Sequence, residues 1–311
     1  MRVLAFDTSN YTTSVASFDG TEGHNISRLL DVEQGALGLR QSDALFAHVK
    51  RLPELADRLF SDIGTDAGFE AVGVSTRPRA VEGSYMPCFL AGESQARVLG
   101  AALGVPVLPF SHQQGHIAAA LYSVDRLDLL HERFLAFHMS GGTTEAVLVE
   151  PVEGDKMFRT RLVASSLDLK AGQVIDRIGV MLGLPFPAGK HLDPIACNYT
   201  ERLRVRASMK GANCSLSGVE NKCRELMKKG APKEEIAATC MAYVIAASDA
   251  MCKALIETFG DLPVVFSGGV SSNSMLRTHM SKKYGALFAE PRFSADNAAG
   301  IAVLASLSQE A

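Results

Sequence analysis

The sequence predicts an α/β protein made of two related halves. Three observations carry that prediction. Residues 4–13, Leu-Ala-Phe-Asp-Thr-Ser-Asn-Tyr-Thr-Thr, lie over residues 135–144, Leu-Ala-Phe-His-Met-Ser-Gly-Gly-Thr-Thr, without a gap at an offset of 131. In each copy an apolar strand breaks into a turn of small hydroxyl residues and then resumes, which is the pattern of a β-hairpin. Strand–helix–strand units follow each hairpin, and that order implies right-handed crossovers and a mostly parallel sheet.

The elements follow in order. The first hairpin resumes at residues 14–18 and its copy at 146–149. A buried strand at 71–75, a helix at about 92–103 and a strand at 105–110 complete the first half. In the second half a helical stretch at about 234–259 buries Ile236, Met241, Val244, Ile245 and Leu255, and a strand at 262–266 comes next. Ser267-Gly268-Gly269-Val270-Ser271-Ser272-Asn273 then closes that strand and opens a helix, before a last strand at 286–289. Residues 1–124, with 295–311 packing back on them, form the expected N-terminal lobe, and 125–294 the C-terminal lobe. N–H and hydroxyl groups at a hairpin tip are the donors of a phosphate cradle, and a helix N-terminus attracts a phosphate or ribose oxygen. Two such halves predict a nucleotide bound in a cleft between lobes.

Length and composition agree. A chain of 311 residues has room for two domains, and 47% apolar with 21% charged residues excludes a disordered, collagen-like or disulfide-scaffold chain. Glycine outnumbers proline 27 to 12, as suits turns where backbone approaches a ligand. No signal peptide is read at the start, and no run approaches the roughly 20 apolar residues that cross a bilayer. The cysteines, at 88, 197, 214, 223, 240 and 252, show no CxxC or zinc spacing and read as reduced thiols of a cytoplasmic protein. The net charge of −3 hides an uneven distribution. Residues 200–233 carry nine Lys/Arg against three acids, a local +6 that leaves −9 elsewhere. Such a stretch is either a solvated face or a contact for phosphate backbone.

His112-Gln113-Gln114-Gly115-His116 sets two imidazoles four apart behind Ser111 as N-cap, so one helix face can offer both to a metal ion. Gln113 stands where a zinc protease has its general-base Glu, which disfavours protease chemistry. A carboxylate normally completes a two-His site. Asp296, in Asp296-Asn297-Ala298-Ala299-Gly300, is the first candidate and Asp7 the second, although Asp296 also suits a helix N-cap. The 267–273 loop is neither a Walker A motif nor GxGxxG.

Together these segments resemble the tRNA N(6)-adenosine threonylcarbamoyltransferase family, also called the glycoprotease or O-sialoglycoprotein endopeptidase family. The resemblance also takes in Ala171-Gly172-Gln173-Val174-Ile175-Asp176, the run from Leu182 through Pro187-Ala188-Gly189, and Ser215-Leu216-Ser217-Gly218. It implies the duplicated actin/hexokinase/Hsp70-like ATPase fold. His112, His116 and Asp296 match the family's ligands for iron or zinc. Ser140, Gly141 and Gly142, with Thr143 and Ser9, match the substrate turns. Asp168, Gly172, Asp176 and Gly189 fall on the ribose side, and Gly268, Gly269 and Asn273 on the adenine side. The implied reaction carries a threonylcarbamoyl group from its adenylate to an adenosine of tRNA, assisted by one divalent metal ion. An adenine nucleotide of the ATP, ADP or AMP type is the implied ligand. Residues 202–233 would meet tRNA, and paralogous protein subunits are implied partners.

The chain departs from the family pattern around the acyl group. Asn10, Tyr11 and Thr12 stand where the family has Cys and two acids, Thr143 replaces a His, Gln114 replaces the Glu of HxEGH, and Arg77-Pro78-Arg79 replaces Gly-Pro-Gly. A divergent paralogue follows, with a non-catalytic scaffold or a transferase for another acceptor as rivals. A sugar or acetate kinase is disfavoured by the lack of an acid in the first tip, where Asp7 lies before the turn.

Overall fold

The computed structural model describes residues 1–9, 11–31, 39–64, 68–152, 155–294 and 297–309. The chain divides into two compact units. The first comprises Met1–His131, Pro151–Arg159 and Ala295–Ala311, and the second Glu132–Glu150 and Thr160–Ser294.

In the first unit, β1 (Val3–Asp7), β2 (Thr12–Phe18) and β3 (Gly23–Leu29) form an antiparallel meander, followed by α1 (Gln41–Ile63) and β4 (Ala71–Arg77). Next come α2 (Leu90–Leu103), β5 (Val107–Ser111) and α3 (His112–Ser123). The sheet order is β3-β2-β1-β4-β5, with β1, β4 and β5 mutually parallel. Every residue of β1 and β2 is buried, which explains their β-branched and aromatic content. Leu52, Leu55 and Leu59 of α1 pack on Leu4, Phe6 and Val15.

The second unit repeats this plan. It contains β6 (Phe134–Met139), β7 (Thr144–Val152) and β8 (Asp155–Ser165) except for their residues within 151–159, together with α4 (Ala171–Met181) and α5 (Gly189–Cys197). A short hairpin of β9 (Ser208–Lys210) and β10 (Asn213–Ser215) precedes α6 (Ser217–Lys228) and α7 (Lys233–Phe259). β11 (Val264–Ser267), α8 (Ser274–Tyr284) and β12 (Leu287–Phe288) close it, in the order β12-β11-β6-β7-β8. Val3 pairs with Phe18 in one hairpin and Phe134 with Val149 in the other, so the offset of 131 holds in the hydrogen-bond register itself. Phe137, Phe266 and Phe288 face one another across adjacent strands, stacked at 4.6 and 4.9 Å, and each such pair adds about 0.5–1.5 kcal/mol beyond burial. By length and composition α7 could cross a membrane. Its Ile236, Met241, Val244, Met251 and Leu255 instead lie in the core of the second unit.

One expectation is corrected. The sheets are mixed rather than mostly parallel, because each contains an antiparallel hairpin and a further neighbouring strand, β3 or β8, of which β3 runs antiparallel to β2. β3 carries polar residues at half-exposed edge positions, so it lacks the apolar alternation that marks a strand in sequence.

Candidate functional site

Two groups of residues form candidate sites, one in each unit, and both lie at the carboxyl ends of parallel strands, where open α/β sheets hold their ligands.

In the first unit, Asp7 ends β1, Arg77 ends β4 and Ser111 ends β5 just before His112. Asp7 is 1% exposed. Its Oδ1 accepts bonds from Ser75 Oγ (2.6 Å) and the Ser9 N–H (3.1 Å), and its Oδ2 lies 2.7 Å from His112 Nδ1. With a carboxylate as partner, His112 donates through Nδ1, and Nε2 becomes the nitrogen a metal ion would take. One turn on, the His116 ring sits 4.3 Å from that of His112 at 70°. The donor set therefore fits iron(II) or zinc: two imidazoles on one helix face, one of them oriented by a carboxylate. Among the described residues no third His, Cys, Asp or Glu completes a cluster. Asp296 and Asn10 lie outside the described residues. Asp7 orients His112, and Ser9, 2% exposed, supports Asp7.

The helix that carries the pair is held firmly. Ser111 Oγ accepts the Gln114 N–H (3.2 Å) while Gln114 Oε1 accepts the Ser111 N–H (2.9 Å), a complete capping box. Gln114 thus serves the cap through Oε1 and donates through Nε2 to Phe158 O (3.4 Å), a bond an ionised Glu would not make. Pro78 O accepts the Gln113 N–H (3.0 Å), tying the Arg77-Pro78-Arg79 loop to the same helix start. A register shift at Thr76 sets Arg77 opposite Ser111, and such bulges re-aim side chains beside sites. Between the two histidines, Gly115 meets the C-terminal helix (Ala299–Gln309) backbone to backbone. A Cβ at Gly300 would fall on the Gly115 carbonyl.

In the second unit a cavity of about 570 Å³ is lined by Gly141, Gly172, Asp176, Gly189, Gly269 and Asn273, all anticipated from sequence. Ser140 and Thr143 close the 140–143 turn: the Ser140 N–H donates to Thr143 O (2.7 Å) and the Thr143 N–H to Ser140 Oγ (3.1 Å). Gly141 and Gly142 project into open space. Gly172, in the first turn of α4, donates to Ser140 O (3.1 Å), which aims the positive helix end at the turn. Asp176 Oδ1 accepts the Ala188 N–H (2.8 Å). Burial raises its carboxyl above the usual carboxylate range, and that one bond only partly opposes the shift.

Other anticipated residues are placed differently. Gly268, at φ +90°, packs against the Met139 backbone and does not line the cavity. Asp168 does not line it either. Burial works against its charge, yet donors from Ser217, Leu216 and Leu169 hold its carboxyl below the usual range, and they staple the loop to β10 and α6. Asn273 lines the cavity with both ends of its amide engaged: Nδ2 donates to Asp193 Oδ1 (2.6 Å) and Oδ1 accepts the Leu276 N–H (2.9 Å). Sequence reasoning missed Asp193 and Lys190, which also line the cavity. Asp193 stands four residues after Gly189 on one face of α5, and that spacing was the available signal.

A family model described as TsaD, tRNA N6-adenosine threonylcarbamoyltransferase, matches residues 34–303. The tRNA N6-adenosine threonylcarbamoyltransferase of Aromatoleum aromaticum is 30% identical over 324 residues, covering 99% of this chain and 91% of that protein. Component A of the (R)-2-hydroxyglutaryl-CoA dehydratase of Acidaminococcus fermentans resembles the chain over 100% of both, with a TM-score of 0.59 at 14% identity. A ROK hexokinase from Thermus thermophilus does so over 100% of this chain and 99% of its own, with a TM-score of 0.50 at 16% identity. These last two bear on fold alone, and the fold is the duplicated actin/hexokinase/Hsp70-like ATPase fold.

Proposed function

The chain belongs to the tRNA N6-adenosine threonylcarbamoyltransferase family, and we propose that it transfers threonylcarbamoyl from threonylcarbamoyl-adenylate to the N6 amine of a tRNA adenosine, with a divalent metal ion at His112 and His116. Membership makes it a tRNA-modifying transferase. The metal and the adenylate donor are the finer part of the reading. Its main support is the second unit's cavity, where open glycines, a helix N-terminus and a carboxylate converge as an adenylate requires.

The amine attacks the carbamoyl carbon, the bond to the phosphate oxygen breaks, AMP leaves with the electron pair, and the amine loses a proton. The Gly141 and Gly172 backbone would meet the phosphate and Asp176 the ribose hydroxyls. His112, oriented by Asp7, and His116 would hold the metal, with Asp296 the expected third ligand. Bound there, iron or zinc would supply Lewis-acid stabilisation of the charge that develops as the anhydride breaks.

No protein nucleophile is needed, and four buried thiols of the second unit suit that reading. Burial pushes Cys223 and Cys252 up to about 12 and Cys214 and Cys240 upward as well, so they remain thiols near neutrality.

The test is nucleoside analysis of tRNA after incubation with the purified protein, the adenylate donor and iron or zinc, with and without added paralogous subunits. Threonylcarbamoyladenosine should form with wild type and fall at least a hundredfold with His112→Ala. No product in either condition, with nucleotide binding intact, would point to another acceptor or a scaffold.

A further inference from the structure

Residues 202–210 form a ladder whose two sides differ sharply. Arg202, Arg204, Arg206 and Lys210 are exposed, with Ser208 between the last two, while Leu203, Val205, Ala207 and Met209 are half-buried. That period of two is the pattern of an extended chain, and the segment runs directly into β9, which pairs with β10 through Met209 and Cys214. Leu203, Ala207 and Met209 pack on the core of the second unit. The backbone is thereby held down and the cations are turned to solvent in one row. Like-sided residues on an extended chain lie about 6.5–7 Å apart, a spacing close to that of consecutive phosphates along a nucleic-acid strand.

In the rest of the basic stretch two cations are paired, while Lys228, Lys229 and Lys233 are exposed and, among the described residues, make no side-chain ion pair or hydrogen bond. Arg224 is bonded to Glu220 (2.7 Å), which also takes Arg177 (2.9 Å), and Lys222 pairs with Glu225 (3.4 Å). Among the described residues, the side chains of the four ladder cations make no ion pair or hydrogen bond. The nearest acid in sequence, Glu201, accepts from Tyr199 OH (3.3 Å).

We propose that residues 202–210 are a track for the RNA backbone, with Arg202, Arg204, Arg206 and Lys210 taking phosphates along one strand. This rests on the tRNA reading above and narrows it to the extended segment. Three of the four cations are arginines, whose planar fork matches phosphate oxygens. The segment's large apolar residues face the core, so it offers nothing for insertion into a lipid surface.

The experiment compares the full-length protein with an Arg202→Gln/Arg204→Gln/Arg206→Gln variant and with a Lys222→Gln/Arg224→Gln variant. Binding to unmodified tRNA is read by fluorescence anisotropy from 50 to 300 mM salt, alongside melting temperature and nucleotide affinity. For the triple variant the slope of log K against log salt should become shallower by about 0.7 per lost contact, about 2 in all, with melting and nucleotide affinity preserved. The Lys222/Arg224 variant should change the slope by much less. Equal losses in the two variants, or an unchanged slope in the triple variant while wild type binds tRNA, would overturn the track and leave the transferase reading standing. Wild type that fails to bind tRNA at all would overturn both. Displacement of tRNA by polyglutamate as effectively as by single-stranded RNA of equal charge would assign the ladder to an acidic protein instead.

Discussion

Asp7 Oδ2 lies 2.7 Å from His112 Nδ1, although 105 residues separate the two along the chain. The contact exists because β1, β4 and β5 end side by side, and Ser75 and Ser9 fix the carboxylate from the other side. A carboxylate that orients an imidazole typically contributes 10- to 100-fold in metal affinity. Asp7→Ala should therefore weaken zinc or iron binding by about that factor while leaving nucleotide affinity within twofold. Competitive chelator titration measures it, and an unchanged metal affinity would show that the carboxylate does not position the ligand.

Gln114 departs from the family's HxEGH, and its surroundings give the departure a local meaning. Its Oε1 closes the capping box of α3, which Glu would also do, but its Nε2 donates to Phe158 O (3.4 Å), which an ionised Glu would not. Gln114→Glu should lower the melting temperature, because a carboxylate in this 2%-exposed position faces Phe158 O without a proton to donate, while metal affinity stays nearly unchanged. Gln114→Ala should cost about 1 kcal/mol, in the range of lost helix caps. Chemical denaturation of both variants separates a capping role from a chemical one, since a large loss of metal affinity in Gln114→Glu would contradict the cap.

The hairpins were legible in sequence because strand pairing is local: the 131-residue offset visible in the letters recurs in the register of Val3 with Phe18 and of Phe134 with Val149. Of the cavity's glycines, Gly141 and Gly269 were legible from the turns that follow β6 and β11, whereas Gly172 and Gly189 came only from the family resemblance. β3 was hidden because a half-exposed edge strand needs no apolar alternation. The role of Asp7 was hidden because a bond across 105 residues leaves no periodic trace, and Asp193 because its partners Asn273 and Ser274 come from a distant helix start.

Asp176 would give the proposed nucleotide site a pH signature. Burial raises its carboxyl, and its ionised form is the better acceptor for ribose hydroxyls. Acidification should weaken nucleotide binding from a pH above the ordinary carboxylate range, and Asp176→Asn should flatten that decline. For folding the sign is opposite. A carboxyl raised in the folded state favours folding at low pH, and that contribution is lost as pH rises through the folded value. Asp176→Asn, which keeps an acceptor for the Ala188 N–H, should therefore be slightly more stable than wild type near neutrality. Calorimetric binding and melting across pH 4–8 test both signs, and a wild-type binding profile that is flat on acidification would exclude the carboxylate from the contact.

Gly172 and Gly142 belong to the same proposed phosphate region but should respond differently to one methyl group. A Cβ at Gly172 would stand 2.6 Å from Gly141 N and 2.7 Å from Ser140 O, both backbone atoms that no rotamer can move aside. Gly172→Ala must push α4 away from the 140–143 turn and strain the bond from the Gly172 N–H to Ser140 O. Overpacking of this kind costs about 1–3 kcal/mol, and the displaced helix end should weaken nucleotide binding at least tenfold. A Cβ at Gly142 meets nothing within 4 Å, so Gly142→Ala should leave the melting temperature close to wild type. If thermal denaturation and nucleotide titration find Gly172→Ala as stable and as tight-binding as wild type, the close seat of α4 on the turn does not shape the site. If only Gly172→Ala loses both, the position of the helix end relative to the turn governs binding.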